Sequence, residues 1–385
     1  MGVLCFVSVI FAAAGQTRIS SELPDSTENR VAAKGWWPTK ATASVNTFAG
    51  GNVCGECHFQ EASTQPNTAM ANAALRLSGG MKSMEPASGT FENGSYSYQF
   101  LAEDPGYSLE VKSVGQSISF KISWTFGAGI HGQTYLLDNN GELYEGQVSS
   151  FSSTHRMDLT PGHTRAAEGS LQNAIGIRLA GREGAQCFAC HTTAWSTGFK
   201  LDSANAIPGI HCEACHGPGI DHINAVKTGQ IDKARKAILN PTHLTPTSSI
   251  DFCGSCHRTT MDVILHATVL GTSSIRFQPY RLEESRCWLT TKDARLTCIA
   301  CHNPHEPLVR DASFYDQKCL SCHSLREYAG HESVSRRSAG TPAICPKATA
   351  NCSSCHMPKY NVPEMHSLFT DHFIRVVRPG ELYPN

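Results

Sequence analysis

Seven times along the chain, two cysteines stand three positions apart and a histidine follows the second. The sets are Cys54, Cys57 and His58; Cys187, Cys190 and His191; Cys212, Cys215 and His216; and Cys253, Cys256 and His257. They continue with Cys298, Cys301 and His302; Cys319, Cys322 and His323; and Cys352, Cys355 and His356. A chain with the same 17 Cys and 18 His in random order would hold about 0.03 such motifs. Two thiols on one helical turn can meet the two vinyl groups of a haem, and the adjacent imidazole then reaches the iron. Zinc ribbons and disulfide scaffolds also use paired cysteines, but neither requires a histidine directly after every second one. The spacing therefore points to seven c-type haems, with fourteen cysteines as covalent anchors and seven histidines as proximal iron ligands.

What the irons can do depends on their sixth ligand. Eleven histidines lie outside the motifs, and imidazole is a common strong axial donor. The expected distal ligands are His131, His222, His305, His331, His366 and His372. The seventh is open among His163, His155, His211 and Met70, and His163 is placed in the set. An iron held by two imidazoles is saturated and passes electrons, whereas an open sixth position admits a small molecule. Two classes follow: an electron-conducting chain of closely packed bis-His haems, and a reductase or oxidase of a small nitrogen or sulfur compound at one five-coordinate haem.

The rest of the chain must position these groups. Charged residues make up 17% and the formal net charge is -1, against about 25% charged in an average soluble domain. Neither a disordered tail nor an electrostatic nucleic-acid binder fits that balance. Residues 1–16 form an apolar run ending in small residues, which reads as a signal peptide. No later stretch has the length of a membrane span. An exported protein, periplasmic or extracellular, is the expectation, with residues 17–87 carrying the first motif, a β-rich insert over 88–150 and six motifs over 151–385.

The insert shows apolar–polar alternation. Tyr96, Tyr98 and Phe100 follow an Asn93-Gly94 turn, Ile118, Phe120, Ile122 and Trp124 keep a period of two, and Asn140-Gly141 separates two further strands. Residues 68–77 and 222–239 have helical composition, and Pro, Gly and Ser punctuate the remainder. So little chain per motif cannot build an ordinary apolar core, so cofactors must supply much of the buried surface. The expected fold is that of a multihaem cytochrome c: short α-helices and irregular segments around stacked haems, with a small antiparallel β insert. Cys287 and Cys345 lie outside the motifs, and in an oxidising compartment either a disulfide between them or two separate thiols is open.

The segments Val53–His58, Gly209–Gly219, Cys298–His305, Asn351–Lys359 and Phe369–His372 resemble multihaem cytochromes of the c-552/c-554 type. That group is related to the pentahaem nitrite reductases and the octahaem hydroxylamine oxidoreductases. The order of the seven motifs, the Gly-x-x-x-His131-Gly-x-Thr-Tyr-Leu segment and the closing Thr-Asp-His are most similar to heptahaem modules joined to tetratricopeptide repeats. The resemblance covers about residues 50–378 and implies haems packed in close pairs, for which the short spacings 187/212 and 298/319 are suited. The lysine-bearing motif of the nitrite reductases is missing from the sequence. Expected partners are redox proteins docking at exposed haem edges, and self-association into an oligomer or extracellular filament is a further expectation.

Overall fold

The computed structural model describes residues 25–33, 35–40, 43–77, 85–164, 169–197, 200–265, 271–291, 295–323, 348–378, 380, 381 and 383. The apolar start, His266, His331 and Cys345 lie outside them, and so does any bridge from Cys287 to Cys345.

The alternating segments form an antiparallel sheet larger than the small insert expected. Its strands are β1 (Ala74–Arg76), β2 (Thr90–Asn93), β3 (Tyr96–Glu103), β4 (Gly106–Ser113), β5 (Gln116–Phe126), β6 (Gly132–Asn139), β7 (Glu142–Phe151), β8 (Arg156–Leu159) and β9 (Gly176–Arg178). β2 to β8 pair in chain order, β1 adds to the far half of β5 and β9 adds to β7. The end strands β2 and β8 come into contact, so the sheet is nearly closed. Asn140 and Gly141 both take positive φ, 55° and 88°, which fits the primed turn joining two twisted strands.

Alternation sorts the side chains onto two faces. Tyr135 and Leu137 join Tyr98, Leu109, Ile122 and Val148 in one apolar cluster, while Leu136 joins the other. On β5 the pattern switches. The register shifts between Ile122 and Trp124, so a bulge re-aims Trp124 and Phe126 to the second face. There they meet Phe188 edge-on at 5.0 and 5.2 Å. The strict period of two expected through Trp124 thus breaks one step early, and the break brings the sheet onto a motif helix.

One of the two helical expectations is corrected. Residues 68–77 contain no helix: turns lead into β1, because Ala74, Leu75 and Arg76 pair with Phe126, Thr125 and Trp124. Residues 222–239 hold two short helices, Ile220–Lys227 and Ile231–Lys236, parted at Gly229, whose φ is 72°.

The seven motifs lie on Gly51–Gly55 and the turn after it, and on Arg182–His191, Cys212–His216, Pro246–His257, Cys298–Cys301, Ala312–His323 and Cys352–His356. The Pro246–His257 helix starts where its residues dictate: Pro246 needs no N–H partner at the first position, and Thr245 Oγ1 accepts from Ser248 N at 3.2 Å. Apolar packing is rich around the sheet and sparse beyond it. Among the described residues the later motifs share one small cluster, Ile250, Leu282 and Trp288, with Cys298 against it. No helix among them is long and apolar enough to cross a membrane.

Candidate functional site

Three motif histidines face a second imidazole across a matching gap. The ring centroids of His58 and His222 are 6.5 Å apart, those of His216 and His305 5.9 Å, and those of His302 and His372 6.2 Å. Two metal–nitrogen bonds of about 2 Å each, plus the half-width of each ring, come to about 6 Å. The spacing of each pair thus matches that of two imidazoles on one iron, and in each case one partner is a motif histidine. The donor set is the test of fit here: two imidazoles at axial spacing beside a pair of thiols is what a covalently attached haem requires. When bound, haem supplies a reversible one-electron couple at its iron.

Hydrogen bonds prepare the ligating nitrogen. Nδ1 of His191, His216, His222, His356 and His372 lies 2.9, 2.8, 2.9, 3.0 and 3.1 Å from the carbonyls of Ala73, Leu239, Ala234, Arg375 and Thr370. A carbonyl oxygen only accepts, so each Nδ1 carries the proton and Nε2 keeps the lone pair that a metal takes. Burial acts in the same direction. It pushes the imidazoles of His191, His257, His302 and His305 below their usual range, and that of His372 down to about 4. These rings are neutral at neutral pH, as an axial ligand must be.

The other expected ligands are placed differently. His163 is engaged at both nitrogens, Nδ1 with Gln147 Oε1 at 2.9 Å and Nε2 with Glu145 Oε2 at 3.0 Å, so this arrangement leaves it no free donor. His366 Nε2 is 2.9 Å from Asp158 Oδ2. His131 is half-buried and stacks on Phe369 at 4.5 Å. His155 is exposed at a positive φ of 53° between β7 and β8. His211 approaches Gln65 Oε1 at 3.5 Å. Met70 is half-buried, and its carbonyl accepts from Ile210 N.

Sequence reasoning missed three sets of residues that hold the motifs in place. Glu213, inside the third motif, is buried and accepts from Ala49 N and Gly219 N at 2.7 Å and from Gly50 N at 2.8 Å. It thereby fastens the turn before the first motif to the third. Glu213→Gln replaces one accepting oxygen with a donor facing an N–H, and is expected to cost about 1–3 kcal/mol. Urea unfolding of the loaded protein measures that loss.

Asp316, inside the sixth motif's helix, does the same for the seventh. Its carboxylate accepts from Asn351 N at 2.7 Å and Cys352 N at 2.8 Å. Bonds from the Cys352 and Asn351 N–H groups hold the carboxyl below the usual carboxylate range. The sign follows: a depressed folded pKa gives stability that is present above the unfolded value of about 3.9 and lost as pH falls through the folded one. Amide exchange at residues 351–356 is expected to accelerate below about pH 4 in the wild type. Asp316→Asn should show fast exchange already at neutral pH.

The third set is a buried ion cluster beside His372. Arg281 Nε and Nη2 bond Asp371 Oδ1 and Oδ2 at 3.0 and 3.1 Å, and both side chains are fully buried. Arg375 Nη1 reaches Asp371 Oδ2 at 2.8 Å, and Arg281 Nη1 reaches Glu284 at 2.7 Å. Ser285 Oγ donates to the His372 carbonyl at 3.1 Å and accepts from Ile374 N. Only the Thr-Asp-His resemblance pointed near this cluster; nothing in the local sequence marks Arg281 as its partner.

Residues 144–217 match the family described as cytochrome c554 and c-prime, a stretch that holds the second and third motifs. No curated protein matches the chain. Two solved structures align over 86% of it. One is the outer cell wall cytochrome OcwA, at a TM-score of 0.49 and 14% identity, with 80% of that chain covered. The other is the undecahaem cytochrome from the S-layer of Carboxydothermus ferrireducens, at 0.39 and 15% identity, where this chain spans 53% of its length. The seven motifs and the matched family support a multihaem c-type cytochrome.

Proposed function

We propose that the protein is an exported heptahaem cytochrome that conducts electrons. The observation that carries the reading is the trio of facing imidazoles, His58 with His222, His216 with His305 and His302 with His372. Each would saturate its iron and leave no position for substrate, which favours transfer over chemistry at motifs 1, 3 and 5. The fourteen motif cysteines hold the seven haems, and the remaining four irons draw on His131, His331, His366 and one of His155, His211 and Met70.

Export is supported by the apolar start and by the haem motifs themselves. Two propionates per haem make the loaded protein more acidic than its sequence, so its redox partners should dock at exposed haem edges with basic faces. Self-association into a filament extends the same reading. Electron microscopy at high protein concentration tests it, and discrete particles alone would contradict it. The conducting function is tested by the intact mass of the matured protein together with its reduced-minus-oxidised spectrum. Seven haem increments and a reversible low-spin spectrum are expected; fewer increments, or a metal other than iron, would overturn the proposal.

A further inference from the structure

Chain order does not decide which motif touches which. The Cys54 thiol lies against that of Cys212, so motif 1 meets motif 3, and Glu213 reinforces the contact through Ala49 and Gly50. The motif 4 helix, Pro246–His257, uses both of its cysteines. Cys256 lies against Cys190 of motif 2, whose Sγ is also 3.7 Å from the Ser255 carbonyl. Cys253 lies against Cys298 of motif 5. Cys319 of motif 6 lies against Cys352 of motif 7, where Asp316 bonds both Asn351 and Cys352.

Further contacts join the centre. The helices of motifs 5 and 6 pack together. The pair His216 and His305 sets motif 3 beside the segment that follows motif 5. Ala189 of motif 2, Ala214 of motif 3 and Cys256 of motif 4 line one cavity. Motifs 2 and 3 approach through their flanking residues, where Thr193 Oγ1 accepts from His211 N at 2.8 Å, but the thiol contacts of Cys190 and Cys212 go to motifs 4 and 1.

A cysteine marks the edge at which a haem is attached, so touching thiols bring two haem edges together. We infer that the seven positions form a three-armed relay and not a single file. Motifs 3, 4 and 5 make the junction. One arm is motif 1 through motif 3, one is motif 2 through motif 4, and one runs through motif 5 to motifs 6 and 7. This rests on the proposed loading of seven haems.

The arms end in different surroundings. Cys57 of motif 1 and Cys355 of motif 7 are exposed, and Phe59 beside the first is 77% exposed. The motif 2 arm ends beneath the sheet instead. Phe188 and Ala189 of its helix are buried against Trp124 and Phe126, and His191 stacks on Phe126 at 4.7 Å with the rings within 1° of parallel. A path from motif 1 to motif 7 through 3, 5 and 6 therefore bypasses motif 2, which becomes a side terminus capped by protein.

An iron map of the loaded protein, by crystallography or electron cryo-microscopy, tests this. The iron of motif 2 should have that of motif 4 as its nearest neighbour, and motif 4 should also lie close to 3 and 5. Motif 2 nearest to motif 3, or irons following chain order, would overturn the branch while leaving the heptahaem reading intact. Fewer than seven irons would overturn both. NMR of partially reduced samples gives a second readout. Reduction at motif 4 should shift the haem resonances of motif 2, and a shift driven by motif 3 instead would contradict the junction.

Discussion

His222→Ala is expected to convert one low-spin iron of the loaded protein to high-spin. The His222 ring stands 6.5 Å from His58, and its Nδ1–H is held by the Ala234 carbonyl, which leaves Nε2 with the lone pair that a metal takes. Removing the ring removes a strong-field donor and opens a position on the iron. Low-temperature EPR on the variant should show one new high-spin ferric species, stoichiometric with protein. His305→Ala and His372→Ala should each add one more, because the three pairs share no residue, and the double variant His222→Ala/His305→Ala should show two. An unchanged low-spin spectrum in any single variant would remove that pair from the account. His305→Met probes the same site without vacating it: a Met/His iron has a higher potential than a bis-His one, so one reduction step should move upward.

Breaking the ion cluster beside His372 has the second large effect. Arg281→Met leaves Asp371 fully buried with Arg375 as its remaining cation, and the loss of one partner from a buried pair costs about 3–5 kcal/mol. The expected outcome is a large fall in the urea midpoint with unchanged slope. Asp371→Asn should have a comparable cost, since it leaves Arg281 without its bidentate acceptor. These residues also fix the segment that presents His372 to His302, so partial high-spin character should accompany the loss of stability. A variant that loses stability but keeps every iron low-spin would separate the two roles and make the cluster a stability element only.

The legibility of the sequence follows what is local and what is not. The seven motifs are short, and each carries its own chemistry, so thiol and proximal imidazole positions can be read directly. Hairpin turns are similarly local: Asn140-Gly141 closes β6 onto β7 because both residues adopt positive φ with little strain. The helical composition of residues 68–77 misled because pairing with β5 outweighs a weak propensity. The bulge after Ile122 cannot be seen in an alternating pattern, yet it places Phe126 on His191.

Distal ligands divide in the same way. His222 and His305 follow closely on motifs and His372 lies in a distinctive closing segment, which drew attention to them. Their partners come from motifs up to 164 residues away, and only the fold supplies those pairings. In sequence His163 is as eligible as the others, but in the fold Gln147 and Glu145 engage its two nitrogens. Glu213 and Asp316 sit at ordinary motif-region positions, and the backbone N–H groups they accept from carry no sequence signature.

Low-temperature EPR of the oxidised, matured protein, with haem content measured on the same sample, tests the central claim most directly. The account predicts seven haems per chain, with low-spin signals that include the irons of motifs 1, 3 and 5. Fewer than seven haems would contradict it. So would high-spin ferric signals from more than the four irons of the remaining motifs, since the three facing pairs would then not be ligating.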